Sequence, residues 1–118
     1  MPTKIELATR VAAAGNKPKL IDELVGRVNT RESRLSIALM QSPPGWEEPG
    51  QRPEFDEWTV VLEGEVHVEH DAGKLSLGPG QAVHAAPGEW VRYSTPNGAK
   101  YLAVCLPAFS PDTVHRDA

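Results

Sequence analysis

The sequence predicts an all-β fold, an antiparallel sandwich or barrel. Three observations carry that expectation: short segments of alternating apolar and polar residues, a turn signal roughly every eight to twelve residues, and no helical pattern between the segments. Hydrophobic residues at 40% and charged residues at 24%, spread along the chain, suit an ordinary folded core. With 118 residues the chain can build one such core but not two, so one domain over 1–118 is expected, its barrel core at about 35–106.

The elements follow in order. Thr3 and Glu6 match a capping box, and Ile5, Ala8, Val11 and Ala12 recur at helical spacing until Gly15 and Pro18 stop them, which predicts a short N-terminal helix. Residues 19–28 fit a strand or a helix. Leu35, Ile37 and Leu39 alternate with Ser36, Ala38 and Met40, the pattern of a strand with one buried face. The turn-rich stretch QSPPGWEEPGQRPEF leads into 57–62, where Trp58, Thr59, Val60 and Val61 favour a strand that Glu63 and Gly64 close. Val66 and Val68 alternate with Glu65, His67 and Glu69, and Asp71 to Gly73 turn the chain into Leu75 and Leu77. Gly78-Pro79-Gly80 and Pro87-Gly88 punctuate short strands over 81–85 and 90–94, and a last strand over 101–106 precedes a Pro-rich tail.

Charge excludes some functions. The net charge is −4, and cations such as Arg27, Arg31, Arg34, Arg52, Arg92 and Arg116 are scattered rather than gathered into a phosphate-binding stripe, so no nucleic-acid partner is expected. No apolar run reaches about 18 residues, and MPTKIELATR lacks the apolar core of a signal peptide, so a cytoplasmic protein with no membrane partner is expected. The single cysteine, Cys105, can form neither an internal disulfide nor a multi-thiolate zinc site.

Two stretches carry a family resemblance. PGWEEPGQRPEFDEWTVVLEGEV resembles the first motif of the cupin superfamily (PG, H-x-H, E, G), with Glu57 and Gly64 at its last two positions. GPGQAVHAAPGEWVRYSTP resembles the second motif (G, P-x-G, H), with Gly80 and Gly88 matching and Pro87 one place beyond the expected proline. The resemblance implies a double-stranded β-helix, the jelly-roll barrel of RmlC-like cupins. FDEWTVVLEGEV and STPNGAKYLAVCLPA are similar to the cupins of ethanolamine utilisation.

Cupins generally hold a divalent metal on two histidines and the glutamate of motif one and the histidine of motif two. Here the histidine positions read Gln51 and Pro53, or Gly50 and Arg52 one residue earlier, and the motif-two position reads Val91. Proline, valine and glycine offer no donor atom, so no tightly held transition metal is expected at the usual place. A hard divalent cation on oxygen ligands stays open, as does a metal on the unorthodox set Gln51, Glu57 and His84.

At its family position Glu57 points into the barrel, and period two sends Thr59 and Val61 the same way. By the same parity Val91 and Tyr93 face inward while Trp90 and Arg92 face outward, Arg92 toward a partner such as Glu89. Glu57, Tyr93 and His84 are therefore the candidate catalytic groups, Glu57 as a carboxyl of raised pKa, Tyr93 as a donor and His84 as a base. Gln51, Thr59 and Arg52 are the candidate ligand-binding residues. The plainer readings are a structural Glu57 neutralised by Arg52 or Tyr93, a core Tyr93, and a half-exposed His84.

Elsewhere His67 and Glu69 share a solvent face, where a metal clip is the sharper reading and a solvated face the plainer one. The acidic stretch of Glu47, Glu48, Glu54, Asp56 and Glu57 reads as a hard-cation site or a solvated loop. Trp46, Trp58 and Trp90 read as core or interface, and the tail, with Phe109 and His115, folds back over a barrel opening. The expectation that joins these is a homodimeric cupin that binds a small polar metabolite, with acid–base chemistry of an isomerase or lyase kind or with no chemistry at all, as a sensor or assembly partner.

Overall fold

A computed structural model describes residues 1–118 as ten strands in two antiparallel sheets. The larger sheet runs β1 (Thr9–Val11), β2 (Leu20–Val25), β3 (Ser36–Ser42), β10 (Ala99–Leu106), β5 (Asp56–Gly64), β8 (Ala82–Ala85). The smaller runs β4 (Trp46–Glu47), β9 (Val91–Thr95), β6 (Val66–His70), β7 (Gly73–Leu77). Non-consecutive strands lie side by side in both, as the predicted jelly roll requires.

Each strand turns alternate residues inward, and the inward sets of the two sheets make one core. Val61, Ala85 and Tyr101 from the larger sheet meet Trp46, Val66, Val68, Leu77, Val91 and Tyr93 from the smaller. Burying a valine or leucine of this set contributes about 1.5–3 kcal/mol. A second cluster of Phe55, Cys105 and Val114, with Phe109 packed against it, anchors the tail. The tail runs back along 50–54: Glu54 donates its N–H to Thr113, Arg52 to His115, and Asp117 to Gly50, at 2.9, 3.1 and 2.8 Å.

The predicted N-terminal helix is not there. Thr9, Arg10 and Val11 pair with Glu23, Asp22 and Ile21 as strand β1. Two helical turns without a packing face are marginal on their own, whereas a β-branched Thr9 and Val11 beside an open strand edge gain a ladder. The ambiguous segment after Lys19 is likewise a strand, β2.

In β3 the inward face is Ser36, Ala38 and Met40, not the larger Leu35, Ile37 and Leu39. Ile37 and Leu39 lie on the outer face beside Val104 and Leu102, because the inner face at this end lines a cavity rather than a packed core.

Gly64 ends β5 at φ 79°, and a Cβ there would collide with the Gly98 carbonyl. Only glycine combines that dihedral with that approach.

Candidate functional site

Between the sheets lies a cavity of about 90 Å³. Period two decides its lining: Glu57 and Thr59 from β5, Tyr101, Ala103 and Cys105 from β10, Tyr93 from β9. Lys19, just before β2, and Ile21 and Glu23 within it contribute too, as do Glu48 and Gln51 from the chain after β4 and Arg116 from the tail.

Glu57 is 8% exposed. The Cys105 thiol donates to its Oε2 at 3.5 Å, but its Oε1 has no partner, and neither has the Tyr93 hydroxyl. Burial raises the Glu57 carboxyl above its ordinary 4.5. Burial, and then the facing Glu57 carboxylate, push the Tyr93 phenol well above 10, so it remains a donor. Cys105 is raised too, by burial first, which leaves an inert thiol.

Glu48 and Lys19 complete the charged set. Burial pushes Glu48 up to about 7, opposed by Lys19 and reinforced by Glu57. Burial pulls Lys19 down to about 8, opposed by Glu48 and Glu57. The Lys19 Nζ stands 4.0 Å from the centroid of the Trp46 ring and 5.2 Å from that of Tyr101. Tyr101 in turn shares a 2.9 Å hydrogen bond with Ser42.

Of the residues expected from sequence, Gln51, Glu57, Thr59 and Tyr93 stand on the cavity wall. Two do not. Arg52 is exposed and donates to the Gly88 carbonyl at 2.9 Å, so it does not neutralise Glu57. His84 lies on the outer face of β8, stacked on Trp58 with centroids 4.7 Å apart and bonded to Asp56 at 2.7 Å. Its strand pairs β5 with the parity that sends His84 out with Trp58 rather than in with Glu57.

The other polar candidates are spoken for. Arg92 pairs with Glu69 at 2.8 Å, not with Glu89, which instead accepts from the Ala86 amide. His67 pairs with Glu65, which takes it from the metal clip with Glu69, and His115 pairs with Glu54.

Sequence reasoning missed Lys19, Glu48, Tyr101 and Arg116 as site residues. Glu48 was hidden in an acidic stretch that reads as solvated, yet Trp46, Glu48 and Gly50 are buried while Glu47 and Pro49 are exposed, a period-two signal within the loop. Lys19 shares its parity with Ile21 and Glu23. Arg116 reaches the cavity through tertiary folding of the tail, which no local pattern encodes.

Residues 38–105 match the cupin domain family, more than half of the chain. The chain belongs to the cupin family. Endoribonuclease YbeY of Myxococcus xanthus (strain DK1622) is 38% identical over 101 residues, 84% of this cupin and 34% of that protein, so the chain spans about a third of that relative. The structure of ethanolamine utilization protein Q from Salmonella typhimurium LT2 superposes with a TM-score of 0.67 at 26% identity, covering 77% of this chain and 71% of that one. Polyketide cyclase RemF from Streptomyces resistomycificus has the same fold, with a TM-score of 0.79 at 20% identity over 100% of this chain and 87% of its own.

The metal that the family implies does not fit these residues. Of Gln51, Pro53, Glu57 and Val91 only two carry donor atoms, and His84, which could have supplied a third, points away from the cavity. No three His, Cys, Asp or Glu side chains gather as a ligand set. One carboxylate with one amide oxygen is a poor site for a transition metal.

Proposed function

We propose that this cupin binds a short polar metabolite in the cavity between its sheets and acts on it by acid–base chemistry, anchored by Glu57 and Tyr93. One observation carries the reading: two buried polar atoms of cavity-lining residues, Glu57 Oε1 and Tyr93 OH, make no hydrogen bond of normal geometry, although the two side chains lie near enough to perturb each other. Leaving such a group unpaired costs about 1–3 kcal/mol, and folded proteins leave few of them. A ligand with one acceptor and one donor or acceptor satisfies both. Burial favours the protonated form of Glu57, a form that can pass a proton to the ligand, Tyr93 donates without losing its own, and Gln51 and Thr59 supply further polar edges. The apolar wall, with Ile21, Met40 and Ala103, excludes water.

The test is a thermal-shift screen of short oxo acids, hydroxy acids and polyols on wild type and Glu57→Gln. A ligand at a hundred times its Kd stabilises by about 2.7 kcal/mol. At least one compound is expected to raise the wild-type Tm with most of that rise lost in Glu57→Gln. Equal stabilisation of both proteins removes Glu57 as the anchor.

A second reading, a homodimeric assembly partner, is favoured by the outer face of the larger sheet. Leu39, Leu102 and Val60 stand in one row across three strands, and Ile37, Val104 and Trp58 in the next. Leu62 and Leu106 extend the apolar face at 42% and 45% exposure. A second copy packing sheet on sheet would cover it.

A further inference from the structure

We propose that Lys19 is a nucleophile that forms an imine with the carbonyl group of a short oxo acid bound in the cavity, its carboxylate held by Arg116. The inference rests on the reading that the cavity takes a ligand, and it names the ligand's class.

Lys19 lines the same cavity as Glu57 and Tyr93, and its amine makes no ion pair within 4.0 Å and no hydrogen bond. The other four lysines, Lys4, Lys17, Lys74 and Lys100, do not line it. Lys19 is half-buried with its amine over the rings of Trp46 and Tyr101, whose faces favour the ammonium, while burial against the apolar wall disfavours it more strongly. Such a site weakens the hold on the ammonium proton and leaves the lone pair usable near neutral pH. Two carboxyl groups, Glu48 and Glu57, share the cavity with the amine and serve as its proton donors and acceptors.

Arg116 supplies the second half of the recognition. Its backbone is bridged to Gln51. Its side chain is exposed, and its guanidinium carries no ion pair, lying 5.7 Å from the Phe109 ring. A free guanidinium is a carboxylate site. An amine and a guanidinium that line one cavity suit a ligand with a carbonyl carbon at one end and a carboxylate at the other.

The chemistry balances with the cavity's own carboxyl groups. The neutral amine attacks the carbonyl carbon, the C–N bond forms, and the C=O π pair moves to oxygen, which takes a proton from the Glu48 or Glu57 carboxyl. The nitrogen returns a proton to that carboxylate. The same carboxyl then protonates the carbinol hydroxyl, water leaves, and the nitrogen lone pair closes a protonated imine. One amine, one carbonyl compound and one carboxyl proton become one iminium, one carboxylate and one water, with no oxidant or reductant.

The experiment is reductive trapping with pyruvate and borohydride at pH 7.5, followed by intact mass and peptide mapping. Lowering Lys19 from 10.5 to about 8 multiplies its neutral fraction at this pH by on the order of a hundred, so adduct at Lys19 should exceed that at each exposed lysine by about tenfold or more. Lys19→Arg should lose the adduct while keeping its fold by circular dichroism, and methyl pyruvate, which lacks the carboxylate, should label Lys19 less. Uniform labelling of the five lysines, or none at Lys19 in wild type, overturns the proposal. A thermal shift with pyruvate alone separates the two readings: stabilisation without trapping ends the imine and leaves ligand binding standing. Absence of both ends the oxo acid assignment, and the wider metabolite screen alone then decides ligand binding.

Discussion

Glu48→Gln tests the claim that the cavity holds a carboxyl group at a cost to the fold. Glu48 is 9% exposed, and burial lifts it from 4.5 to about 7 against the pull of Lys19. The folded value lies above the unfolded one, so the folded state binds this proton more tightly than the unfolded chain does. The contribution of Glu48 to wild-type stability must therefore fall as pH rises from about 4.5 to about 7 and level off above. At about 1.4 kcal/mol per pH unit the loss across that window is about 3 kcal/mol.

Glutamine has the same shape and does not titrate. The stability difference between variant and wild type should therefore open across that window, favouring the variant, and reach about 2–3 kcal/mol, since Lys19 loses one of its two opposing charges and takes part of the gain back. For a chain of this size that is roughly 10 °C in Tm. Thermal unfolding followed by near-UV circular dichroism in small pH steps from 4 to 8.5 reads it. Other carboxylates titrate in both proteins and largely cancel. A difference that stays constant with pH refutes the buried-carboxyl argument, whatever its size.

Tyr101→Phe removes the hydroxyl that pairs with Ser42 and leaves a buried serine oxygen unsatisfied, so urea unfolding should show a loss of about 1–3 kcal/mol; unchanged stability would mean that water reaches Ser42. On the outer face, Leu102→Glu places a charge in the middle of the row formed with Leu39 and Val60 and should convert a dimer to a monomer in sedimentation equilibrium. A wild type that sediments as a monomer at every concentration would remove the assembly reading.

The fold was legible because strand signals are local. Alternation in 57–62 and 66–69, the turn at Asp71 to Gly73, and Gly64 where the chain needs a positive φ each act over a few residues and agree with one another. The N-terminal segment misled for the same reason: Ile5, Ala8, Val11 and Ala12 satisfy a helical period, but the open edge of β2 outweighs so short a pattern.

What the sequence determined by itself was the class of the fold, the inward parity of Glu57, Thr59 and Tyr93, and the replacement of the family's metal donors by groups such as Pro53 and Val91. Each is a matter of residue type and spacing along one strand or loop. The company those side chains keep was decided only by the tertiary structure. Lys19 from the first third of the chain, Glu48 from a loop and Arg116 from the tail meet Glu57 in one cavity, while Arg52 and His84 turn away. Burial and charge coupling depend on distances between segments far apart in sequence, and chain order does not carry those distances.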